Sequence, residues 1–241
     1  MRNVFSLSSN GRTTVLAAHL TLLVLAAGGC RSGPLAEYYS WNPFVRGGND
    51  DSSYGPSPAI RREQLQQLAR DVRKMSPSEK LQLAADLSLR VENEIDPLLR
   101  GETVKTLGQI GTDRAKEALR LAVHDAEVNV RVAACQAWQD VGGPEAVQVL
   151  TEVLASDTDE DVRLAAVRAL GAFQDPAAAR GLALALDDGN PALQYRAMES
   201  LHHATGQNLG HDVVAWRNYV QQGAPPTGAG PALVERDYDR R

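Results

Sequence analysis

The chain has 241 residues, of which 43% are hydrophobic but only 5% aromatic, and its formal net charge is −5 at pH 7. Ala and Leu dominate, which suits thin, closely packed helices and excludes a large aromatic core. The acidic balance disfavours nucleic acid as a ligand, because phosphate binding needs a clustered basic surface. No segment alternates apolar and polar residues with β-branched enrichment, so the sequence predicts no sheet.

The amino-terminal 30 residues have the pattern of an export signal. Arg2 and Arg12 accompany a polar start, and residues 15–27 are largely apolar but too short to span a hydrocarbon core of about 30 Å. The following Ala27-Gly28-Gly29-Cys30 resembles the end of a bacterial lipoprotein signal, in which small residues precede a cysteine that becomes diacylated. It departs from that pattern at Ala27, where Leu is more usual.

This resemblance implies a signal peptide at residues 1–29, lipid on Cys30, and a place in the cell envelope on the periplasmic or outer-membrane side. Ordinary signal cleavage near Ala27 and an uncleaved anchor are the alternatives. Lipid on Cys30 would leave Cys135 as the only thiol, which excludes an intramolecular disulfide. Cys135 occupies a predicted core position and is expected to be a small buried hydrophobe.

Composition divides the rest of the chain into three parts. Residues 30–59, rich in Gly, Ser, Pro and Asn, are predicted to be a flexible tether, and residues 223–241 a disordered tail. The tether contains an aromatic cluster at residues 38–44, which either packs against the first helix or lies near lipid headgroups. Residues 60–222 are the predicted folded domain.

A capping helical hairpin is predicted at residues 60–93. Its second helix should start at Ser76-Pro77-Ser78-Glu79, where Ser and Glu have the spacing of a capping box. The apolar residues that follow at helical spacing predict its buried face. They are Leu81, Ala84, Ala85, Leu87 and Val91.

Four repeats follow near residues 94–124, 125–156, 157–187 and 188–222, at a spacing of 31 or 32 residues. A fixed period of this length indicates a solenoid, in which each unit buries its apolar face against its neighbours. Each repeat predicts two helices, and the first helix has the clearer apolar stripe. Its equivalent positions are Leu99, Thr103, Val104, Leu107 and Ile110; Val130, Ala134, Cys135, Trp138 and Val141; Val162, Ala166, Val167, Leu170 and Phe173; and Leu193, Ala197, Met198, Leu201 and Ala204.

A polar pattern recurs with the same period. In each repeat an acidic residue lies six positions before an Arg, or before Gln in the last repeat. We expect a structural ladder of hydrogen bonds that fixes the stacking of units, with a binding track as the alternative. The pairs are Glu94 and Arg100, Asp125 and Arg131, Asp157 and Arg163, and Asp188 and Gln194.

Residues 94–222 resemble HEAT repeats, most clearly in residues 161–171, and more narrowly the short bacterial type related to phycobilisome-lyase-like proteins. The resemblance implies an all-α, right-handed α-α superhelix of about five helical hairpins. It also implies a binding scaffold whose second helices line the concave surface. HEAT-type di-iron hydroxylases need repeated His-Glu pairs, and the sequence has no His-Glu dipeptide.

The sequence gives little support for a metal site or for catalytic residues. His202 and His203 are adjacent and would point about 100° apart on a helix, which makes a shared metal site with His211 and Asp212 awkward. Trp216 is expected to seal the end of the solenoid. We therefore predict no catalytic residues, no metal or other cofactor, and no small-molecule substrate.

The predicted function is a non-catalytic protein-interaction scaffold tethered to the bacterial envelope by lipid, with a protein partner. The alternatives are an accessory factor of the chromophore-lyase-like HEAT class and a purely structural envelope component. The proposed partner site is an apolar patch on the second helices, unless the tether or tail covers it. Its residues are Leu121, Arg180, Ala183, Leu184, Val214 and Ala215.

Overall fold

The structure is a computed structural model that describes residues 56–222, and this part of the chain is helical without strands. The signal peptide, Cys30, the aromatic cluster and the tail therefore lie outside the described residues. Ten α-helices form five consecutive pairs, with a 3₁₀ turn at Val72–Lys74. The helices are α1 Pro58–Asp71, α2 Pro77–Asn93, α3 Pro97–Ile110, α4 Asp113–Ala122, α5 Val128–Val141, α6 Gly143–Ser156, α7 Glu160–Leu170, α8 Pro176–Leu186, α9 Pro191–Thr205 and α10 Val213–Gln221.

Local sequence sets the helix ends. The capping box before α2 is confirmed, because Ser76 Oγ accepts a hydrogen bond from the Glu79 backbone N–H and the Glu79 carboxylate accepts one from the Ser76 N–H. Gly111 and Gly206 end α3 and α9 in the left-handed region, with φ of 65° and 70°, where a residue with a Cβ is strained. These caps satisfy backbone groups that a helix leaves without partners at its ends.

Most of the repeating apolar positions of the first helices are buried as predicted, whereas Val141 and Phe173 are only half-buried. Leu99, Val104 and Leu107 are at most 2% exposed, and their equivalents in the later repeats are at most 6% exposed. The prediction for α2 was wrong in part, because Leu81 is 57% exposed and Ala85 is also exposed. The buried face of α2 consists of Leu83, Ala84, Leu87, Ser88 and Val91.

The first and second helices of the repeats form two layers, and the packing of α3 on α5 differs from that of α4 on α6. The first helices α3 and α5 pack along each other closely, and a Cβ placed on Gly108 of α3 would lie 2.6 Å from Ala137 Cα. The second helices α4 and α6 barely contact each other. The second-helix pairs α2–α4, α6–α8 and α8–α10 do contact each other, so the gap between second helices is confined to α4 and α6.

The last helix is held by polar and aromatic contacts. Trp216 is 1% exposed, and its Nε1 donates a hydrogen bond to the carbonyl oxygen of Gly210 at 2.8 Å. Arg217 donates to the Asp187 carboxylate at 2.6 Å and to the Leu186 carbonyl oxygen at 2.7 Å. These bonds fix α10 against the carboxyl end of α8, and Trp216 fills the space beneath it.

Candidate interaction surfaces

The predicted ladder residues meet along the loops that join one repeat to the next. Arg100 donates from Nε and Nη2 to the Asp125 carboxylate at 2.8 and 2.9 Å, and from Nη1 to the Glu94 carbonyl oxygen at 2.8 Å. Arg131 repeats the arrangement with the Asp157 carboxylate and the Asp125 carbonyl oxygen. The acidic residue six positions before each Arg thus supplies its backbone carbonyl, and the carboxylate comes from the following repeat. Our expectation of side-chain pairing within a repeat was wrong.

The ladder weakens toward the carboxyl end of the array. Arg163 Nε lies 3.7 Å from Asp188 Oδ2 and makes no hydrogen bond within the described residues, although Nη1 donates to the Asp157 carbonyl oxygen at 3.1 Å. Gln194 donates from Nε2 to the Asp188 carbonyl oxygen at 2.7 Å. Gln194 therefore preserves the backbone contact and has no cationic group for a further carboxylate.

The oppositely charged groups of the ladder stabilise each other's charged forms. Burial raises the pKa of the Asp157 carboxyl, but the hydrogen bonds from Arg131 and the Asp159 backbone N–H lower it more, so the pKa lies below its ordinary value. The Asp125 carboxyl has a lowered pKa from the same balance, with Arg100 as donor. The hydrogen bond to Asp157 raises the pKa of the Arg131 guanidinium. These groups are occupied with each other, which is typical of a structural role.

The six residues of the predicted partner patch fall on three helices. Arg180, Ala183 and Leu184 lie on α8, which packs against α10, the helix of Val214 and Ala215. Leu121 lies apart, on α4 beside α2.

The residues of this patch differ in their exposure to solvent. Leu184 is 46% exposed and Val214 is 60% exposed, whereas Ala183 and Ala215 are half-buried and Arg180 is exposed. Leu121 is 64% exposed. The patch thus divides into an α8–α10 cluster, formed by Arg180, Ala183, Leu184, Val214 and Ala215, and the separate Leu121.

Two surface grooves lie where second helices end, and sequence reasoning missed both. The α2–α4 groove has a volume of about 300 Å³ and the α4–α6 groove about 320 Å³. Residues on the walls of the first include Ser88, Val91, Glu92, Ala118, Leu121 and Ala122. Residues on the walls of the second include Val123, His124, Val149, Glu152, Val153 and Ser156. A ladder pair lies in each groove, Arg100 with Asp125 and Arg131 with Asp157.

The histidines near the carboxyl end serve local contacts. His211 stacks on Tyr195 with ring centroids 4.7 Å apart, and its Nε2 lies 3.2 Å from Glu199 Oε1. His202 Nδ1 lies 2.6 Å from the Gln207 carbonyl oxygen. Within residues 56–222, no three His, Cys, Asp or Glu side chains group in a way that would hold a metal ion.

Cys135 is fully buried in α5, and burial raises the pKa of its thiol to about 12. A thiol protonated at neutral pH is a poor nucleophile, because the thiolate is the reactive form. The described helices also include none that is long and apolar enough to cross a membrane.

Comparison with known proteins agrees with the helical architecture. The family model of HEAT repeats matches residues 84–171 and 121–202. Among solved structures, the chain is similar to human deoxyhypusine hydroxylase in complex with glycerol at 17% identity and a TM-score of 0.34, over 86% of this chain and 90% of that chain. No curated protein sequence matches the chain. The chain is therefore a HEAT-repeat protein, and its described helices form an α-α solenoid.

Proposed function

We propose that the protein is a non-catalytic protein-interaction scaffold, tethered to the bacterial cell envelope by lipid on Cys30. The observation that carries the proposal is the α8–α10 cluster, in which Leu184 and Val214 are 46% and 60% exposed on adjacent helices. Exposed large apolar side chains favour association, because burying them removes apolar area from water.

The surroundings of the cluster are those of a modest interface. Arg180 is exposed on α8, and Ala183 and Ala215 are half-buried small residues that permit a partner to approach closely. Apolar centres with a polar rim are typical of protein interfaces, and Arg is common among residues that dominate binding. The Arg and Asp side chains of the ladder are occupied with each other, so the proposal places the partner on the α8–α10 cluster.

A single substitution tests this site. Leu184→Asp should abolish capture of the partner from native membranes, because a carboxylate would lose its hydration in the interface. Leu81→Asp is the matched control, since Leu81 is 57% exposed on α2, away from the cluster. Both variants should melt within a few degrees of the unmodified protein.

A second variant tests the other helix of the cluster. Val214→Asp changes the neighbouring helix and should weaken capture in the same way. Capture that survives in both folded variants contradicts the proposed site. Loss of capture in the Leu81→Asp control would show that a surface charge anywhere disrupts binding, which also contradicts it.

The lipid anchor has its own test. Cys30→Ala should leave the folded domain intact while abolishing lipid attachment, because thioether formation needs the sulfur and stable anchoring needs acyl chains. Mass spectrometry of the mature amino terminus measures this directly. An unmodified Cys30 in the membrane fraction, or a mature chain that starts elsewhere, refutes the anchor.

A further inference from the structure

The solvent-facing side of α2 carries a row of apolar side chains that no other described helix covers. Leu81 and Leu89 are 57% and 55% exposed, and Ala85 between them is also exposed. Residues four apart lie on one face of a helix, so these three form a continuous row, which we call the α2 stripe. Every other described helix has at most one exposed large hydrophobic side chain. A single exposed Leu is ordinary, whereas a row of them is a candidate interaction surface.

The opposite side of α2 holds the helix in the solenoid. Leu83, Leu87 and Val91 are buried there, and α2 packs against α3 and α4. The α2 stripe is therefore not needed for the packing of the repeats, so its residues can be substituted without removing core contacts.

The order of residues in the α2 stripe is the same in both directions. Ala85 lies midway between the two Leu residues, and a rise of 1.5 Å per residue places each Leu about 6 Å from it along the helix axis. A second α2 that runs antiparallel, with a two-fold axis at Ala85, therefore places Leu81 of each copy beside Leu89 of the other. The small Ala side chain at the axis permits the two helices to approach closely.

Charge selects the antiparallel orientation. Glu92, three residues after Leu89, is exposed and makes no ion pair within residues 56–222. In the antiparallel pair its carboxylate lies beside the exposed Ser78 of the other copy, in the first turn of α2, where a helix carries a partial positive charge. A parallel pair would instead place the two Glu92 carboxylates side by side, and like charges repel.

We propose that a second copy of this chain docks on the α2 stripe, so that the protein forms a two-fold symmetric dimer through antiparallel α2 helices. The proposal goes beyond the scaffold function and does not depend on it, because the α2 stripe shares no helix with the α8–α10 cluster. One pair of helices buries an area at the lower end of specific interfaces, so the dimer should dissociate on dilution. Each dimer would carry two copies of the α8–α10 cluster.

Disulfide cross-linking in oxidised glutathione tests the geometry of the dimer. Ala85→Cys should link to itself, because the two-fold axis brings the two Ala85 positions together and a disulfide needs Cα atoms about 4.4–6.8 Å apart. Leu81→Cys and Leu89→Cys should each link poorly alone and form a linked heterodimer when mixed, because each position faces the other. All three variants carry Cys30→Ala, which leaves the buried Cys135 as the only other thiol. Non-reducing electrophoresis measures the linked fraction.

Sedimentation equilibrium measures the strength of the dimer without cross-linking. The full chain with Cys30→Ala, in a nonionic detergent that shields the apolar residues 15–27, should change from monomer to dimer between about 1 and 200 μM. Leu89→Asp should raise the dissociation constant at least about tenfold, because a carboxylate would lose its hydration against Leu81 of the other copy. Leu184→Asp, the same change at an exposed Leu of α8, should alter it less than about twofold. Circular dichroism should be the same for all of these proteins.

A charge exchange tests the orientation independently. Ser78→Glu should raise the dissociation constant about threefold or more, because it places a second carboxylate beside Glu92 of the other copy. Adding Glu92→Lys to this variant should restore dimerisation, since the pair becomes attractive. Failure of that rescue contradicts the antiparallel arrangement.

Four other outcomes overturn the proposal. The first two are a monomer at every concentration and a dimer that Leu89→Asp leaves intact. The third is an Ala85→Cys protein that cross-links no faster than Gln148→Cys, an exposed position on α6. The fourth is a monomeric Ala85→Cys protein whose thiol is protected from a soluble thiol reagent, because this identifies another segment of the same chain as the occupant.

Failure of the dimer can be distinguished from failure of the proposed function. Leu184→Asp should remain dimeric, and Leu89→Asp should still capture a partner through the α8–α10 cluster. A missing dimer with persistent capture refutes the dimer alone. Capture that persists in folded, dimeric Leu184→Asp refutes the partner site and leaves the dimer in place, whereas capture that Leu89→Asp abolishes in a monomeric protein identifies a different protein as the occupant of the α2 stripe and overturns the dimer.

Discussion

Arg131 donates two hydrogen bonds to the carboxylate of Asp157, 26 residues later in the following repeat, from Nε at 2.8 Å and from Nη2 at 3.2 Å. The same guanidinium donates from Nη1 to the Asp125 carbonyl oxygen at 2.9 Å. One side chain thus fixes the turn before its own helix and the turn that begins the next repeat. Geometric coupling of this kind sets the stacking of adjacent units.

Arg131→Ala should lower the free energy of unfolding by about 1–3 kcal/mol, because the largely buried Asp157 carboxylate and the Asp125 carbonyl oxygen lose their donor. Arg168→Ala should cost less than about 0.5 kcal/mol, because Arg168 is exposed and outside the ladder. Urea unfolding followed by circular dichroism gives both values. Equal midpoints for the two variants would refute a stabilising ladder.

Arg163→Ala provides a graded comparison within the ladder. Its Nε lies 3.7 Å from the Asp188 carboxylate, so this variant should cost less than Arg131→Ala and more than Arg168→Ala. The same urea series measures it. A cost equal to that of Arg131→Ala would show that the backbone contacts, which both Arg side chains make, dominate over the carboxylate contact.

The ladder shows what the sequence can and cannot predict. The 31- or 32-residue period placed Arg100, Arg131 and Arg163 at equivalent positions, and all three lie on one edge of the array. Separation along the chain does not reveal which carboxylate reaches each guanidinium, because the partner belongs to the next unit. Contacts between units depend on stacking, which local spacing does not encode.

Gly108→Ala and Gly101→Ala should have opposite effects on stability although both lie in α3. A Cβ on Gly108 would lie 2.6 Å from Ala137 Cα and 2.8 Å from the Ala137 carbonyl oxygen, so the backbones must separate at a cost of about 1–3 kcal/mol. A Cβ on Gly101 would lie 3.8 Å from Ala133 Cβ, an ordinary contact, and Ala in a helix interior gains up to about 1 kcal/mol over Gly.

Thermal unfolding of the two glycine variants measures the difference, with the unmodified protein as reference. A Gly108→Ala protein as stable as the reference would contradict the close packing of α3 on α5. A destabilised Gly101→Ala protein would show that the surrounding side chains cannot accept one methyl group.

Helix α2 and the grooves were harder to predict than the core of the repeats. In α2, Leu81 and Ala85 are four residues apart, as are Leu83 and Leu87, so two apolar stripes fit the helical period and only packing selects one. The α4–α6 groove lies between two helices that barely contact each other, and the α2–α4 groove lies at the ends of two helices that do, so both depend on helix placement rather than on periodicity. The first helices have one dominant stripe each, and their buried positions were predicted correctly except at the helix ends, where Val141 and Phe173 are only half-buried.

Acid should remove the contribution of the ladder to the free energy of unfolding. The folded protein holds the pKa of the Asp125 and Asp157 carboxyls below the ordinary value of 3.8, so the unfolded chain takes up protons first as pH falls. The stabilisation is present above pH about 4 and is lost as pH falls through the folded-state pKa. The difference in unfolding free energy between the unmodified protein and Arg131→Ala should therefore be constant from pH 5 to 7 and shrink toward pH 3. The difference for Arg168→Ala should stay constant, and a ladder difference independent of pH would contradict the lowered pKa values.

Cys135 provides a test at the other end of the pH scale, because burial raises the pKa of its thiol from 9.0 to about 12. The unfolded chain loses this proton at a lower pH than the folded protein, so the stability of the protein should fall as pH rises above about 9, by up to about 1.4 kcal/mol per pH unit until about 12. Cys135→Val is the matched control, since Val104 and Val167 occupy the equivalent core positions of neighbouring repeats and have no titrating group. Any packing difference between the two side chains is a constant offset, so the slope with pH isolates the thiol. We expect the variant to gain stability relative to the unmodified protein between pH 9 and 10.5, and parallel stability curves over that range would show that Cys135 is accessible to solvent in the folded state.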